Sequence, residues 1–384
     1  MNVLTRIRFN DRVTEIEFPI NDDELNTILL NADMPTNTTL PFVVERIDYP
    51  NVLLPLEGRI VNLDELNYLA RRIECFFDNE FNQFSIAVDR AKAVSLKDMI
   101  NLTFNLDKYT LITDISDMTK VGREYVLNTE GAVPVDSRYD EKYARIGRDL
   151  LNSGRGIFTE KGLLFIENKP LDEVYDGQAF PTFAYNQSIA DVEIEYNGKM
   201  ETVFLPDSEL AFGKAINRLG AQYLEDCDCV MEILNSKYNG LSETLDQIFT
   251  SNGINELNSI LRRLRDEDIE PNKLAAAIEY TGVTSPHDID ILVDNIDDLE
   301  LITDIDENDY DEVGHYFLNN SDDYELSEEL EDFFDFHEFG EYIAEERSGQ
   351  FVSGGFIYYN GNYDMSEILD QLNTADSTMR MGGL

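Results

Sequence analysis

One ordered set of motifs occurs twice along this chain of 384 residues. The sequence of Leu63–Ile73, with its Leu-Asp-Glu-Leu-Asn and Arg-Arg groups, returns with substitutions at Ile254–Leu264, and Leu-Ile-Thr-Asp-Ile occurs at 111–115 and at 301–305. The offset stays between 190 and 193 throughout, which indicates a duplicated unit of about 170 residues. Further pairs match in the same order: Asn105 and Asn295, Val121-Gly122 and Val313-Gly314, Tyr125 and Phe317, Tyr143 and Phe336, Gly147 and Gly340, and Gly156 and Gly349.

Each repeat begins with two alternating segments that are typical of a β-hairpin, joined by Asn10-Asp11 in the first repeat and by Asn197-Gly198 in the second. Helices follow, led by the Leu-Asn-x-x-x-Arg-Arg segment, and a small glycine-containing β-element closes each repeat. We therefore predict an α+β fold: an elongated, multi-domain chain of two related units, each with small antiparallel β-elements and helices. The predicted strands are 4–9, 13–18, 192–196 and 202–205, and the closing elements are 156–166 and 349–359.

The predicted boundaries follow from the repeat and from composition. The first unit spans 1–168, a linker 169–188, the second unit 189–361, and a C-terminal helix and tail 362–384. Pro170, Gly177 and Pro181 lie in a stretch without periodicity, which favours a linker there. Because acids stand beside the two arginines of each Arg-Arg pair, we expect those arginines to form salt bridges within their own unit.

Acidic residues outnumber basic ones by 77 to 30, for a formal net charge of −47. The hydrophobic fraction of 42% and the aromatic fraction of 11% exclude a disordered acidic chain, which lacks enough apolar side chains to form a core. Residues 1–180 hold 20 Lys+Arg and 31 Asp+Glu, whereas residues 181–384 hold 10 and 46. A surface this negative repels nucleic acid and anionic membranes and attracts basic proteins, so direct DNA or RNA binding is excluded.

The stretch from Leu274 to Glu346 contains no Lys or Arg and 25 Asp+Glu. Apolar residues in it recur at helical spacing, so we predict amphipathic helices with one packed face and one acidic face. Nothing in folding requires such an unneutralised face, because its self-repulsion destabilises the compact state. The periodic residues are Ile289, Leu292, Val293 and Ile296, and then Leu330, Phe333, Phe334, Phe336 and Phe339, of which we expect Phe334, Phe336 and Phe339 to pack internally.

Three cysteines exclude a disulfide framework and are typical of a reducing compartment. Cys227 and Cys229 have no second Cys or His pair nearby, so we interpret them as ordinary helix residues rather than metal ligands. The first residues lack the apolar run of a signal peptide, and no stretch approaches the ~18 apolar residues of a membrane span. We therefore predict a protein in the cytoplasm of a bacterial host, with no metal, no cofactor and no membrane partner.

The sequence Asp332-Phe-Phe-Asp-Phe-His-Glu-Phe-Gly-Glu341, followed by Ser348-Gly-Gln-Phe351, resembles the C-terminal signature of the ArdA antirestriction proteins. That signature is an acidic-aromatic helix with a glycine, followed by a glycine-containing strand. The Leu-Asp-Glu-Leu-Asn motif and an acid-rich helix expected near Asp304 resemble the middle region of the same family. Members are usually one unit long, so this chain resembles two of them in tandem over most of its length. The first copy, Tyr139–Arg148, keeps the glycine but has gained basic residues.

The resemblance implies a DNA mimic: ArdA proteins are elongated, curved dimers whose carboxylates imitate the phosphates of bent DNA. They occupy the DNA-binding groove of type I restriction–modification enzymes. The charge agrees with this, because Lys and Arg side chains bind carboxylates and phosphates through similar contacts. The expected partner is therefore the DNA-binding groove of a host restriction–modification or other defence complex, with a homodimer or an intramolecular pseudo-dimer as the assembly. The predicted phosphate-like set is Asp288, Asp290, Asp294, Asp297, Asp298, Asp304, Asp306, Glu307, Asp309, Asp311, Glu312, Glu328, Glu329, Glu331, Asp332, Asp335, Glu338 and Glu341.

Other interpretations stay open at this stage. A DNA mimic could inhibit a CRISPR or methylation-based exclusion complex instead, and a generic acidic scaffold for basic proteins would carry a similar charge. Asp304–Asn308 begins like a calcium loop, but Asp309 replaces the glycine and His315 the glutamate that such a loop needs, so only weak divalent binding is expected. The sequence has no phosphate loop, dinucleotide-binding glycine motif, nucleophile elbow or H-E-x-x-H, and the histidines at 287, 315 and 337 are far apart. We therefore predict a protein that is not an enzyme and has no catalytic residues.

Overall fold

A computed structural model describes residues 2–185, 187–320, 324–327 and 333–360. The chain is an α+β fold, as predicted, with helices and small antiparallel sheets. The strands are β1 Val3–Phe9, β2 Arg12–Phe18, β3 Phe42–Tyr49, β4 Ile60–Val61, β5 Tyr109–Ile112, β6 Ile157–Thr159, β7 Gly162–Ile166, β8 Ala190–Tyr196, β9 Lys199–Leu205, β10 Asp228–Ile233, β11 Leu299–Ile302, β12 Gln350–Val352 and β13 Gly355–Tyr359. The helices are α1 Asp22–Asn31, α2 Leu63–Glu74, α3 Asp78–Ala91, α4 Leu96–Thr103, α5 Met118–Glu130, α6 Asp140–Asn152, α7 Glu209–Leu219, α8 Ser242–Asn252, α9 Ile254–Asp266, α10 Pro271–Thr281, α11 Pro286–Asp294, α12 Tyr310–Asn320 and α13 Phe336–Glu346.

Contacts divide the chain into two compact units. The first contains residues 2–185, 193–203 and 208–230, and the second contains 187–192, 204–207 and the described residues from 231 onwards. These packing units are not the sequence repeats, because much of the second repeat's hairpin and its helix α7 belong to the first packing unit. The repeat boundaries, including the tail at 362–384 that lies outside the described residues, stay a prediction.

The first hairpin forms as the sequence predicts. Strands β1 and β2 pair from Val3 opposite Phe18 to Phe9 opposite Arg12, so Asn10-Asp11 is a two-residue turn. Asn10 takes the left-handed conformation, which asparagine tolerates better than most residues. With β3 and β4, this hairpin forms a sheet of order β2-β1-β3-β4. Alternate side chains of the hairpin enter the main core of the first unit, which α1, α2, α3 and α4 complete.

The asparagine of each Leu-Asn-x-x-x-Arg-Arg segment has a structural role that the sequence analysis did not identify. Asn67 on α2 accepts a hydrogen bond from the Ile20 amide at 2.9 Å and donates one to the Ile20 carbonyl at 2.7 Å. Asn258 on α9 makes the same two bonds with Asp207, at 3.0 and 2.8 Å. Both asparagines are buried, and each one satisfies the backbone where the chain leaves a β-hairpin.

The segment predicted as a linker packs against the first unit. Between Glu167 and Ile189 its described residues, which are all except Asn186, form no helix or strand. Tyr175 and Phe180 belong to the core of that unit. Asn105 bonds both the amide and the carbonyl of Asp172, at 2.8 and 3.0 Å. Tyr68 stacks on Phe180 with a centroid distance of 4.5 Å. The segment is therefore fixed along its length by hydrogen bonds and ring contacts.

A module of one strand, two helices and a hairpin occurs twice. The first closing module, residues 109–166, contains β5, α5, α6, β6 and β7, and the second closing module, residues 299–360, contains β11, α12, α13, β12 and β13. Their sheets have the corresponding orders β5-β7-β6 and β11-β13-β12. Both hairpins lie where the sequence predicts the closing β-elements. Small apolar cores fill the space between helices and sheet, around Val121 and Leu163 in the first module and around Val313 and Phe356 in the second.

Glycines allow the two helices of each module to approach closely. A Cβ atom on Gly122 or Gly147 would overlap the carbonyl oxygen of Tyr143 or Met118 on the opposite helix. In the second module, Gly314 and Gly340 face the carbonyl oxygens of Phe336 and Tyr310 in the same way. These are backbone atoms and cannot rotate aside, so a larger residue would push the helices apart.

Substitution of Gly147 tests this contact. We expect Gly147→Ala to lower the free energy of unfolding of the first unit by about 1–3 kcal/mol, because the added methyl group overpacks the helix pair. Gly213→Ala on α7, in the same unit, has open space around the new Cβ and should instead stabilise by about 0.5–1 kcal/mol through helix propensity. Urea denaturation of both variants, followed by circular dichroism, measures the difference. Equal effects of the two substitutions would contradict the packing argument.

The two cysteines lie outside the helices, contrary to the prediction. Cys229 belongs to strand β10, and Cys227 follows a single 3-10 turn at Leu224–Asp226. The exposure of successive β10 residues alternates, as expected from the Asp-Cys-Val-Met-Glu-Ile sequence of that strand. Burial, with a smaller contribution from Cys227, raises the pKa of the Cys229 thiol to about 11. Cys229 is therefore protonated near neutral pH and is a poor nucleophile.

Candidate functional site: the acidic surface of the second unit

The predicted phosphate-like acids form a continuous part of the chain in the second unit, from α11 to α13. Glu328, Glu329, Glu331 and Asp332 lie outside the described residues. Of the fourteen that are described, Asp288, Asp290, Asp298 and Asp309 are partly buried. The exposed ones are Asp294, Asp297, Asp304, Asp306, Glu307, Asp311, Glu312, Asp335, Glu338 and Glu341.

Two of these acids are paired with an arginine. Arg263 on α9 contacts the carboxylates of Asp290 and Asp294, and it also pairs with Glu267 at 2.7 Å. The expected salt bridge of the Arg-Arg segment is therefore confirmed for Arg263. It is wrong for the equivalent Arg72, which donates to the Thr103 carbonyl at 3.1 Å and lies over the Phe104 ring at 4.5 Å.

Other members of the set lie at helix N-termini. Ser285 caps α11 by accepting a hydrogen bond from the Asp288 amide at 3.1 Å, and the Asp288 carboxylate accepts one from the Ser285 hydroxyl at 2.7 Å. Asp309 accepts from the Glu312 amide at 3.1 Å, and Asp335 accepts from the Glu338 amide at 3.0 Å. A carboxylate at a helix N-terminus satisfies free backbone amides and interacts favourably with the helix dipole. These three acids therefore contribute to local stability whatever else they bind.

Six exposed members of the set have neither a basic partner nor a capping role among the residues that the structure describes: Asp297, Asp304, Asp306, Glu307, Glu312 and Glu338. Three of them lie in the loop 303–309 between β11 and α12, where the sequence analysis expected an acid-rich helix. That expectation is wrong, since Asp304 and Asn308 both take the left-handed conformation, with φ of 64°. Acidic runs lack the apolar period of a buried helix, and Asp and Asn readily form turns.

Two histidines lie beside the acidic surface. His337 on α13 contacts Asp311 at 3.2 Å and Glu341 at 3.6 Å. His315 on α12 stacks on the Phe336 ring with a centroid distance of 3.6 Å. Both lie at the surface of their helices, as predicted, and each contacts the opposite helix of the pair.

The aromatic residues before and within α13 pack only in part. Phe334 and Phe339 have ring centroids 5.4 Å apart, and Phe339 packs against the core around Val313 and Phe356. Phe333 is 85% exposed. Helix α13 begins at Phe336, with Asp335 as its cap, so the predicted helical periodicity is wrong for Phe333 and Phe334, and Leu330 lies outside the described residues.

The two closing modules differ sharply in charge. Residues 299–360 contain 19 Asp+Glu and one Lys+Arg, whereas residues 109–166 contain 9 and 8. In the first module Arg123 pairs with Asp140 at 2.7 Å and Lys120 with Asp114 at 2.6 Å. The Lys120 ammonium, followed by the Ser116 hydroxyl, lowers the pKa of Asp114 to about 2. The same arrangement of elements thus occurs once with near-neutral charge and once with a large negative charge.

A buried ionic cluster in the first unit was not predicted. Lys214 on α7 contacts Asp22 at 2.6 Å and Asp64 at 2.8 Å, and the guanidinium of Arg218 binds Glu201. Burial raises the pKa of Glu201, and the hydrogen bond from Arg218 opposes that rise. The cluster borders a cavity of about 450 Å³, but its charges are already paired with one another. Its evident role is to fix α7 and β9 against α1 and α2.

No group of three or more His, Cys, Asp or Glu side chains in the described parts of the chain is placed to hold a metal ion. Over the same residues, every helix is too short or too polar to cross a membrane. Comparisons with protein-family models and with curated proteins find no match to this chain. The resemblance to the ArdA proteins therefore stays a prediction from the motifs.

Arg263 is expected to stabilise the acidic surface. Arg263→Gln leaves Asp290 and Asp294 without their cation, and we expect a loss of about 1–2 kcal/mol in the free energy of unfolding of the second unit. Arg265→Gln is the control, because Arg265 is more exposed and pairs with the adjacent Asp266. That control should cost under about 1 kcal/mol. Denaturant midpoints of the two variants measure the difference, and a larger loss for the control would refute the assignment.

Proposed function

We propose that this protein is a DNA mimic that inhibits type I restriction–modification enzymes by occupying their DNA-binding groove with surface carboxylates of the second unit. The observation that carries the proposal is the charge difference between the closing modules, 19 acids and one base against 9 and 8. The first module has the same element order, the same sheet order and the same glycine contacts. Folding of the module therefore does not require the acids, and binding to a basic surface gives a reason for them.

The arrangement of the carboxylates suits such a role. Glu312 and Glu338 project from helices that are held together by backbone contacts at Gly314 and Gly340. A rigid scaffold reduces the entropy lost when many side chains are bound at once. Lys and Arg side chains that bind phosphates accept carboxylates in the same way, with two parallel hydrogen bonds in the case of Arg. The proposed activity requires no catalytic residue, and it places the protein in the bacterial cytoplasm, where the target enzyme acts.

Competition with DNA tests the proposal. A purified type I restriction–modification enzyme is bound to a labelled duplex, and this protein is titrated in. In the test variant, Asp297, Asp304, Asp306, Glu307, Glu312 and Glu338 are changed to Asn or Gln. If each lost ion pair costs about 0.2–1 kcal/mol, the six together cost about 1–6 kcal/mol, and the concentration needed for displacement should rise at least about sevenfold.

A control variant with the same net charge as the test variant separates mimicry from an effect of total charge. It neutralises six exposed acids of the first unit for which the structure shows no ion pair: Asp78, Glu130, Glu141, Asp149, Glu160 and Glu209. The control should displace DNA as well as the unmodified protein. Equal loss in both variants would indicate a generic acidic scaffold, and no displacement by the unmodified protein would rule out this target class.

A further inference from the structure

Four pairs of charged residues at matched positions of the two closing modules have opposite signs. At an offset of 193, three basic residues on α6 correspond to two acidic residues on α13 and to the acidic N-cap of that helix. A fourth reversal, at an offset of 192, lies on the preceding helix of each module. The pairs are Lys142 and Asp335, Arg145 and Glu338, Arg148 and Glu341, and Lys120 and Glu312.

The two closing modules also match in structure at these positions. Gly147 faces the Met118 carbonyl, and Gly340 faces the Tyr310 carbonyl, so the two glycines occupy the same place in their helix pairs. Arg148 directly follows Gly147, and Glu341 directly follows Gly340. The charged groups of the pairs Arg145/Glu338 and Arg148/Glu341 therefore extend from corresponding helical positions, whereas Lys142 lies within α6 and Asp335 is the N-cap of α13.

All six of these residues are exposed, although Asp335 also caps α13 and Glu341 lies 3.6 Å from His337. Among the described residues, Arg145 and Arg148 have no ion-pair partner, although Glu141 and Asp149 lie on the same helix. Tyr342, half exposed, lies one helical turn after Glu338 and adds apolar surface beside the acids. We call Lys142, Arg145 and Arg148 the basic face, and Asp335, Glu338 and Glu341 the acidic face.

We propose that the basic face of one copy of this chain binds the acidic face of a second copy. Faces of opposite charge attract each other, whereas two like faces repel, so the charges favour the pairing of a basic face with an acidic face. The net charge of each chain opposes association, but charges more than about 8 Å apart are largely screened at physiological ionic strength. The contact would cover part of the acidic surface, and copies of the chain would compete with a basic target for it. The proposal does not depend on the proposed target.

Charge reversal tests this contact by analytical ultracentrifugation of the full chain. The unmodified protein should associate as its concentration is raised. Arg145→Glu/Arg148→Glu and Glu338→Arg/Glu341→Arg should each raise the dissociation constant at least tenfold. Asp335 is left unchanged because it caps α13. A mixture of the two variants should associate again, since the acidic α6 of the first variant can bind the basic α13 of the second.

Control variants separate the specific contact from net charge and from misfolding. Arg59→Glu/Arg90→Glu makes the same change in charge as the α6 variant, at exposed positions elsewhere in the first unit, and should associate like the unmodified protein. Circular dichroism checks the fold of each variant, and if the α13 variant unfolds, Glu338→Gln/Glu341→Gln replaces it. A monomeric unmodified protein at all concentrations, equal loss in the control, or undiminished association of the folded α6 variant would each overturn the proposal.

Discussion

The close approach of two helices at paired glycines fixes both charged surfaces of this protein. In each closing module the backbone of one helix lies where a Cβ atom of the other would be, at Gly122 and Gly147 and again at Gly314 and Gly340. Side chains at the helix contact cannot vary much under this constraint. Exposed positions around it can vary freely, and they differ in charge between the modules. The helix pair thus keeps its geometry while the charge of the exposed side chains around it differs between the two modules.

The same separation between a fixed scaffold and a variable surface is seen in the Arg-Arg segments. The buried asparagine keeps one role in both repeats, because an unsatisfied backbone amide and carbonyl would be costly in either place. The arginine five residues later has a different role in each repeat. Arg72 is held by a carbonyl and aromatic rings, whereas Arg263 pairs with acids of α11. In the acidic unit this arginine reduces the repulsion between Asp290 and Asp294. Some of the predicted phosphate-like acids therefore belong to the internal balance of charge.

Local sequence patterns predict those parts of the fold that depend on local physics. The hairpin β1–β2 follows from alternation and an Asn-Asp turn, and the buried side of α11 follows from Ile289, Leu292 and Val293 at helical spacing. Contacts between distant residues are not encoded in this way. The bonds of Asn258 to Asp207 and of Lys214 to Asp22 join residues 51 and 192 positions apart. An acidic run also carries little information on conformation, so the sequence does not predict the loop that contains Asp304 and does not assign partners such as Arg263 to individual acids.

The opposite charges of the basic face and the acidic face limit the roles that each module can have. A surface that carries Arg145 and Arg148 does not resemble a row of phosphates, so the proposed mimicry of DNA applies to the second module and not to the first. Its basic side chains have the sign of a DNA-binding groove, the kind of surface that the second module is proposed to bind. Within one chain, the repeat thus provides both an acidic surface and a basic surface on equivalent scaffolds. Both proposals draw on the same carboxylates, so binding between copies and binding to a target would compete.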